Sequence, residues 1–265
     1  MHVVILAAQR AGEVNPLAIA HGVSHKCLVP IAGSPLIEHV FRAVAAAPGV
    51  SAITVVIEPE ASAPVLTIAD GIAGLAPVRF VAAAANLADS VIAGTDGIEG
   101  HVVITTADNV QVTPAALCAM EDALTAGADV AIAMARKDDV LAAHPEGQRR
   151  FYEFSDDAYS NCNLYALAGR HALRAAETFR SGGQFAKNAG RIAEAFGIVN
   201  LVLLRLGWVS LEGGLRRISR RFGLKVVPVI LADGRHAIDV DNERTYRVAE
   251  ILMRARGSAD PVRPA

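Results

Sequence analysis

Five short apolar, β-branched runs alternate with helical patterns through the first half of the chain, and that alternation leaves few folds open. The runs cover residues 3–6, 51–57, 78–81, 101–106 and 129–134, and the stretches 35–46, 61–74, 87–98 and 114–126 between them read as helices. Asn86 and Thr113-Pro114 stand where helix caps belong, and Ser34-Pro35 looks like a matched start signal for the first helix. Runs apolar at nearly every position are strands buried on both faces, which implies a mainly parallel sheet covered by helices on both sides. Right-handed crossovers then leave few topologies. The expected fold is α/β: a three-layer α/β/α arrangement with a Rossmann-like, mostly parallel mixed sheet. The low aromatic content, 5%, with Ala, Val, Ile and Leu dominant, favours the same packing over an aromatic-rich sandwich.

The rhythm changes after Met134. Residues 135–156 are polar and basic, with Arg149-Arg150 and then Phe151-Tyr152-Glu153-Phe154. Residues 160–167 alternate as a strand would, 170–179, 186–206 and 211–222 read as helices, and 225–231 and 236–240 look strand-like. Asp241 or Asn242 caps a last helix to about Arg256. With no repeat, low-complexity segment or linker, residues 1–256 are expected to form a single domain. Its segment 135–236 elaborates the sheet, and 257–265 form a loose tail.

A formal net charge of -2 argues against broad nucleic-acid binding. Cys27, Cys118 and Cys162 lack metal-like spacing, and their odd number makes a reducing cytoplasm the simpler home. The N-terminus enters a strand directly, without a signal-like region. No uncharged run reaches the ~20 residues a membrane span needs. The nearest is 193–211, interrupted by Arg205 and flanked by Glu194 and Glu212. It reads as a buried helix or as one lying on a membrane surface.

Open parallel sheets bind ligands beyond the carboxyl ends of their strands, and the candidate chemistry falls there. The connection from Ala7 to Lys26 is far longer than the usual 2–6 residues or so. It holds Arg10 and Lys26 at its two ends, as a cradle for a polyanion would, and Gly12 frees its backbone for close approach. Asp108 follows the fourth strand. Thr113 is better placed to cap the next helix, so Asp108 is free to hold a hard cation such as Mg2+. In Asp239-Val240-Asp241, strand alternation puts both aspartates on one face, where their mutual repulsion favours a cation between them. Asp241 alone could equally be a helix cap. No Ser-His-Asp or Cys-His set is evident.

The order "VILAAxR", a long loop, "HK-x-LVPIAG-x-P-LIEHV", then "VVITTAD" and "IDVDNERTYRVAE" resembles the GT-A type nucleotidyltransferase superfamily. That group includes molybdenum-cofactor guanylyl- and cytidylyltransferases and sugar-1-phosphate nucleotidylyltransferases. The resemblance covers about residues 3–109 and 237–252. It implies a Mg2+-dependent enzyme that transfers a nucleoside monophosphate from an NTP, CTP or GTP, to a phosphorylated small-molecule acceptor, with release of pyrophosphate; the apolar stretch 197–211, followed by Arg216, Arg217, Arg220 and Arg221, leaves a lipid-linked acceptor open as well. By the same resemblance, Leu6, Ala7, Ala8, Gln9, Arg10 and Gly12 wrap the triphosphate and Lys26 neutralises phosphate charge. Asp108, Asp241 and the neighbouring Asp239 hold the metal, Ser90 touches the base, and Asn161 and Asn163 meet the acceptor. The family loop usually has glycines where this chain has Ala8-Gln9, so Gln9 either contacts the base or partly obstructs the loop. Peripheral membrane contact and a homodimer are both compatible with this reading. Two alternatives are a GT-A-like glycosyltransferase and a non-catalytic nucleotide-binding protein.

Overall fold

The computed structural model describes residues 1–9, 15–174 and 208–259. An eight-stranded sheet forms its centre. In the first half, β1 (His2–Leu6), β4 (Ala52–Ile57), β5 (Val78–Ala82) and β6 (Val102–Thr106) are parallel, in the order β6-β1-β4-β5. The second half adds β7 (Val130–Arg136), β9 (Ala158–Leu167) and β10 (Val226–Ile230) on the other side, with the short β8 (Tyr152–Glu153) paired to β9. β9 lies between β6 and β7 and runs antiparallel to both, whereas β10 is parallel to β7. The sheet is therefore mostly parallel and mixed, with helices on both faces.

Strand alternation assigns the two faces. Val3, Ile5, Ile53, Val55 and Val103 belong to one core cluster with Ile37, Phe41 and Val44 of α2 (Leu36–Ala45) and Leu117, Met120 and Leu124 of α5 (Pro114–Thr125). Val65 of α3 (Pro59–Asp70) joins the same cluster. Val4, Val56, Val102 and Ile104 point the other way, where α4 (Leu87–Thr95) crosses close to the sheet. A Cβ on Gly94 would come within 2.6 Å of Val56, so glycine is what lets α4 approach. Leu211 and Leu215 of α7 (Leu211–Phe222) close this face beside β10.

Asn86 and Thr113 cap α4 and α5 through their side chains. Several local expectations change. Ser34 and Pro35 are not the start of a helix. They form β3 (Ser34–Pro35), paired with β2 (Pro30–Ile31), and the extended Pro35 takes the N-cap position of α2, while Ser34 Oγ donates to Glu38 Oε1 at 3.0 Å. The long connection after β1 is not all loop. Asn15 caps a short helix, α1 (Pro16–Ala20), and Lys26 opens a single 3-10 turn, Lys26–Leu28. Residues 236–240 are not a strand, since a 3-10 turn at Gly234–Ala237 leads straight into an extended segment. The last helix, α8 (Glu243–Ala259), runs slightly beyond Arg256. The basic region after β7 holds α6 (Lys137–Ala143). The expected helix at 186–206, the second half of 170–179 and most of the apolar run 193–211 lie outside the described residues, and the first half of 170–179 is a 3-10 turn, Arg170–Leu173. Among the described residues no helix is long and apolar enough to cross a membrane.

Candidate active site

β1 and β6 lie side by side with Leu6 level with Thr106. The ladder continues one step past both strands: Ala7 N donates to Val56 O and Ala107 N to Leu6 O, each at 2.9 Å. Asp108 is the first residue beyond that regular edge. Its carbonyl accepts from Val240 N at 3.1 Å, and this bond lays the extended segment 238–241 across the strand ends. Val240 is fully buried, so the aspartates on either side of it are held at the rim.

Lys26, Asp108, Asp239 and Asp241 converge there. Lys26 Nζ donates to Asp108 Oδ2 at 2.5 Å and to Asp241 Oδ1 at 3.1 Å. One carboxylate oxygen from each of the three aspartates lies within 4.8 Å of the others. Burial disfavours the Lys26 charge, but Asp108 and Asp241 outweigh it and raise its pKa. Burial, then Asp241, then Asp108 push the Asp239 carboxyl up to about 8. Three acids this close cannot all ionise easily without positive charge among them. Asp108 Oδ1 is buried with no hydrogen-bond partner, an orphaned acceptor on one of the three acids. The oxygen-only donor set, the short spacing and the orphaned atom fit a hard divalent cation.

The competing role for Asp241 goes to its neighbour. Asn242 Oδ1 accepts from Arg244 N at 3.1 Å and Thr245 N at 3.2 Å, so Asn242 caps α8. Asp239 is oriented from the sheet instead. Asn163 Nδ2 donates to Asp239 Oδ2 at 2.8 Å. Asn163 has a left-handed backbone, φ +48°, on β9 opposite the register shift in β7 between Ile132 and Met134. Asn161 Oδ1 accepts from Asn163 N at 2.6 Å, and Asn161 Nδ2 donates to Tyr165 OH at 2.7 Å.

A cleft of about 490 Å³ opens between β1, α1 and α4, lined by Leu6, Ala7, Ala8, Gln9, Lys26 and Asp108 among others. Gln9 lines the cleft with its side chain engaged. Its Oε1 accepts from Asn15 N at 3.1 Å and its Nε2 donates to Ser24 O at 3.0 Å, which ties together two distant points of the connection. Arg10 and Gly12 lie outside the described residues. Ser90 is not brought to the cleft: it is buried, and its Oγ accepts from Ala84 N at 3.0 Å. That bond holds the turn leading into α4. A second, wider pocket of about 840 Å³ meets the cleft at Asp241 and includes Asn161, Asn163 and Asp239.

Sequence reasoning missed several residues. Glu58 follows β4 as Asp108 follows β6, a positional signal that was available; its Oε1 accepts from Gln9 N at 2.8 Å. Asn109 Nδ2 donates to Thr105 Oγ1 at 3.1 Å and Cys162 O at 3.0 Å, joining the turn after β6 to β9. Arg149, Arg150 and Lys137 line the second pocket. The basic run was visible, but its place beside the aspartates depends on β8 folding back on β9.

The chain matches the MobA-like NTP transferase domain over residues 3–192. No curated protein matches it. A hypothetical transferase from Thermus thermophilus is 23% identical with a TM-score of 0.68, the alignment covering 92% of this chain and 98% of that one. The 4-diphosphocytidyl-2C-methyl-D-erythritol synthase of Anaerococcus prevotii is 11% identical with a TM-score of 0.61, over 96% of this chain and 97% of that one. A CMP:2-keto-3-deoxy-manno-octonic acid synthetase solved with CTP is 14% identical with a TM-score of 0.58, over 97% and 100%. At these identities the solved structures share the fold. The domain match spans most of the chain, and by it this protein belongs to the MobA-like NTP transferase domain family and is a nucleotidyltransferase.

Proposed function

We propose that this chain transfers a nucleoside monophosphate from CTP or GTP to a phosphorylated acceptor in the cytoplasm, with Mg2+ held by Asp108, Asp239 and Asp241. The observation that carries this reading is the meeting of three aspartates and Lys26 at the rim of the sheet, between two pockets. The triphosphate would lie in the cleft along Leu6–Gln9, with Arg10 and Gly12 completing the loop. The acceptor, a small molecule or a lipid-linked phosphate, would occupy the wider pocket with Asn161 and Asn163. Both pockets would belong to one domain, residues 1–256, of which 135–236 supply the acceptor side.

In the reaction an ionised phosphate oxygen of the acceptor attacks the α-phosphorus. The bond to the bridging oxygen of the β-phosphate breaks, and pyrophosphate leaves with the electron pair. No proton has to move, which removes the need for a general base. The barrier is repulsion between anions: about 4 kcal/mol for unit charges 4 Å apart at an effective dielectric near 20. Lys26 offsets that repulsion and points into the cleft from a rigid 3-10 turn. Asp108 and Asp241 hold its ammonium in place. When bound, the Mg2+ ion supplies further neutralisation and orients the phosphates.

The test is pyrophosphate release from each of the four common triphosphates, with and without Mg2+, across a panel of phosphorylated sugars, alcohols and lipids. Release that needs Mg2+, one triphosphate and one acceptor class is expected. Consumption of a nucleotide-sugar without pyrophosphate, or no turnover with any pair, would overturn the proposal.

A further inference from the structure

Helix α7 is engaged on one side and strongly cationic on the other. Leu211, Leu215, Ile218 and Phe222 pack into the second core cluster, and Ser219 Oγ accepts from Val226 N at 2.9 Å along the edge strand β10. Arg216, Arg217, Arg220 and Arg221 are all exposed. They form two pairs of like charge at i,i+4 spacing, an arrangement that destabilises a helix. The helix dipole favours the two arginines of the last turn, Arg220 and Arg221. Arg216, Arg220 and Lys225 line a shallow groove of about 630 Å³ whose one carboxylate among the described residues is Glu212. Three residues before the helix, Trp208 is 72% exposed. An exposed indole at the start of a segment that also carries a row of arginines suits a membrane interface, where one side of the ring is apolar and the other wet.

The start of α7 is tied to the segment of chain that lines the wider pocket. Ser155 N donates to Val209 O and Leu211 N to Asp156 Oδ1, each at 3.0 Å. Gly214 packs against the Phe154 ring. The same stretch of chain, at Phe151, Tyr152 and Glu153, lines the pocket.

We infer that the outer face of α7, with Trp208, docks on an anionic lipid bilayer. A nucleic-acid partner is disfavoured by the net charge of -2 and by confinement of the arginines to one short helix. The consequence for chemistry, that the acceptor phosphate is carried by a lipid, rests on the function proposed above; the docking itself does not.

The experiment is co-sedimentation of the full chain with vesicles of phosphatidylcholine alone or of phosphatidylcholine with an equal part of phosphatidylglycerol. Binding to the anionic vesicles only is expected, weakening as salt rises. The double variant Arg216→Gln/Arg220→Gln should bind roughly 25-fold more weakly, at about fivefold per surface arginine. Trp208 fluorescence should shift to the blue on binding. Equal binding to both vesicle types, none to either, or unchanged binding by the double variant would overturn the inference, as would capture of a short DNA duplex without vesicle binding. If the double variant fails to fold, the wild-type salt series decides alone: binding indifferent to salt is incompatible with docking by charge. Vesicle binding is read without turnover, so its failure is separate from failure to release pyrophosphate.

Discussion

Asp108 and Asp239 end up within a few ångströms of each other by opposite routes. Asp108 is the next residue after a parallel ladder that runs in register from His2 and Val102 to Leu6 and Thr106. Its position follows from regular geometry. Asp239 lies on an irregular segment fixed by one backbone bond to Asp108, the buried Val240 side chain and an amide from Asn163. Regular strands place a functional group cheaply and rigidly; irregular segments can place one as well, but only through specific supporting side chains. The two aspartates should therefore fail differently when disturbed.

The largest effect is expected on the regular side. Asp108→Asn should lower turnover on the order of 10³-fold while leaving thermal unfolding nearly unchanged, because it alters the charge at the rim and little of the packing. Activity near wild type would remove Asp108 from the reaction. On the irregular side, Asn163→Gly keeps a residue suited to φ +48° but deletes the amide that orients Asp239. The Mg2+ concentration for half-maximal activity should rise roughly 10–100-fold, as for other residues that orient metal ligands. If it stays put while stability drops, Asn163 serves the backbone alone.

The smallest effect concerns the anchor of that segment. His236 is buried on the 3-10 turn leading to Asp239, its Nε2 3.4 Å from Thr113 Oγ1. Burial lowers its pKa below 6.5, against the opposing pull of Asp233. The unfolded chain then takes up a proton more readily than the folded one as pH falls below that value. Stability from neutral His236 is present above pH 6.5 and lost as pH falls toward the folded pKa. Wild type should lose a few degrees more of Tm on acidification than His236→Gln, at about 2–4 °C per kcal/mol for a chain near this size. Parallel curves for the two proteins would show that His236 carries no part of the acid sensitivity.

The sequence by itself determined the layered α/β fold, the strand-end positions of Lys26 and Asp108, and the caps at Asn86 and Thr113. Each follows from local spacing: apolar periodicity, a strand terminus, a residue before Pro or at a helix start. It also marked the Asp239-Val240-Asp241 pair: the two carboxylates meet on one side with Val240 buried, as alternation requires, although the segment is extended chain outside the sheet rather than a strand. Only the tertiary structure turned Ser90 inward, made Gln9 a tie between Asn15 and Ser24, inserted β9 antiparallel between β6 and β7, and brought Arg149 and Arg150 to the rim of the second pocket. Those outcomes depend on partners far apart in the chain. Hydrophobic period reports which face of an element is buried, but it carries no information about which distant donor or acceptor will meet a polar side chain once the faces close.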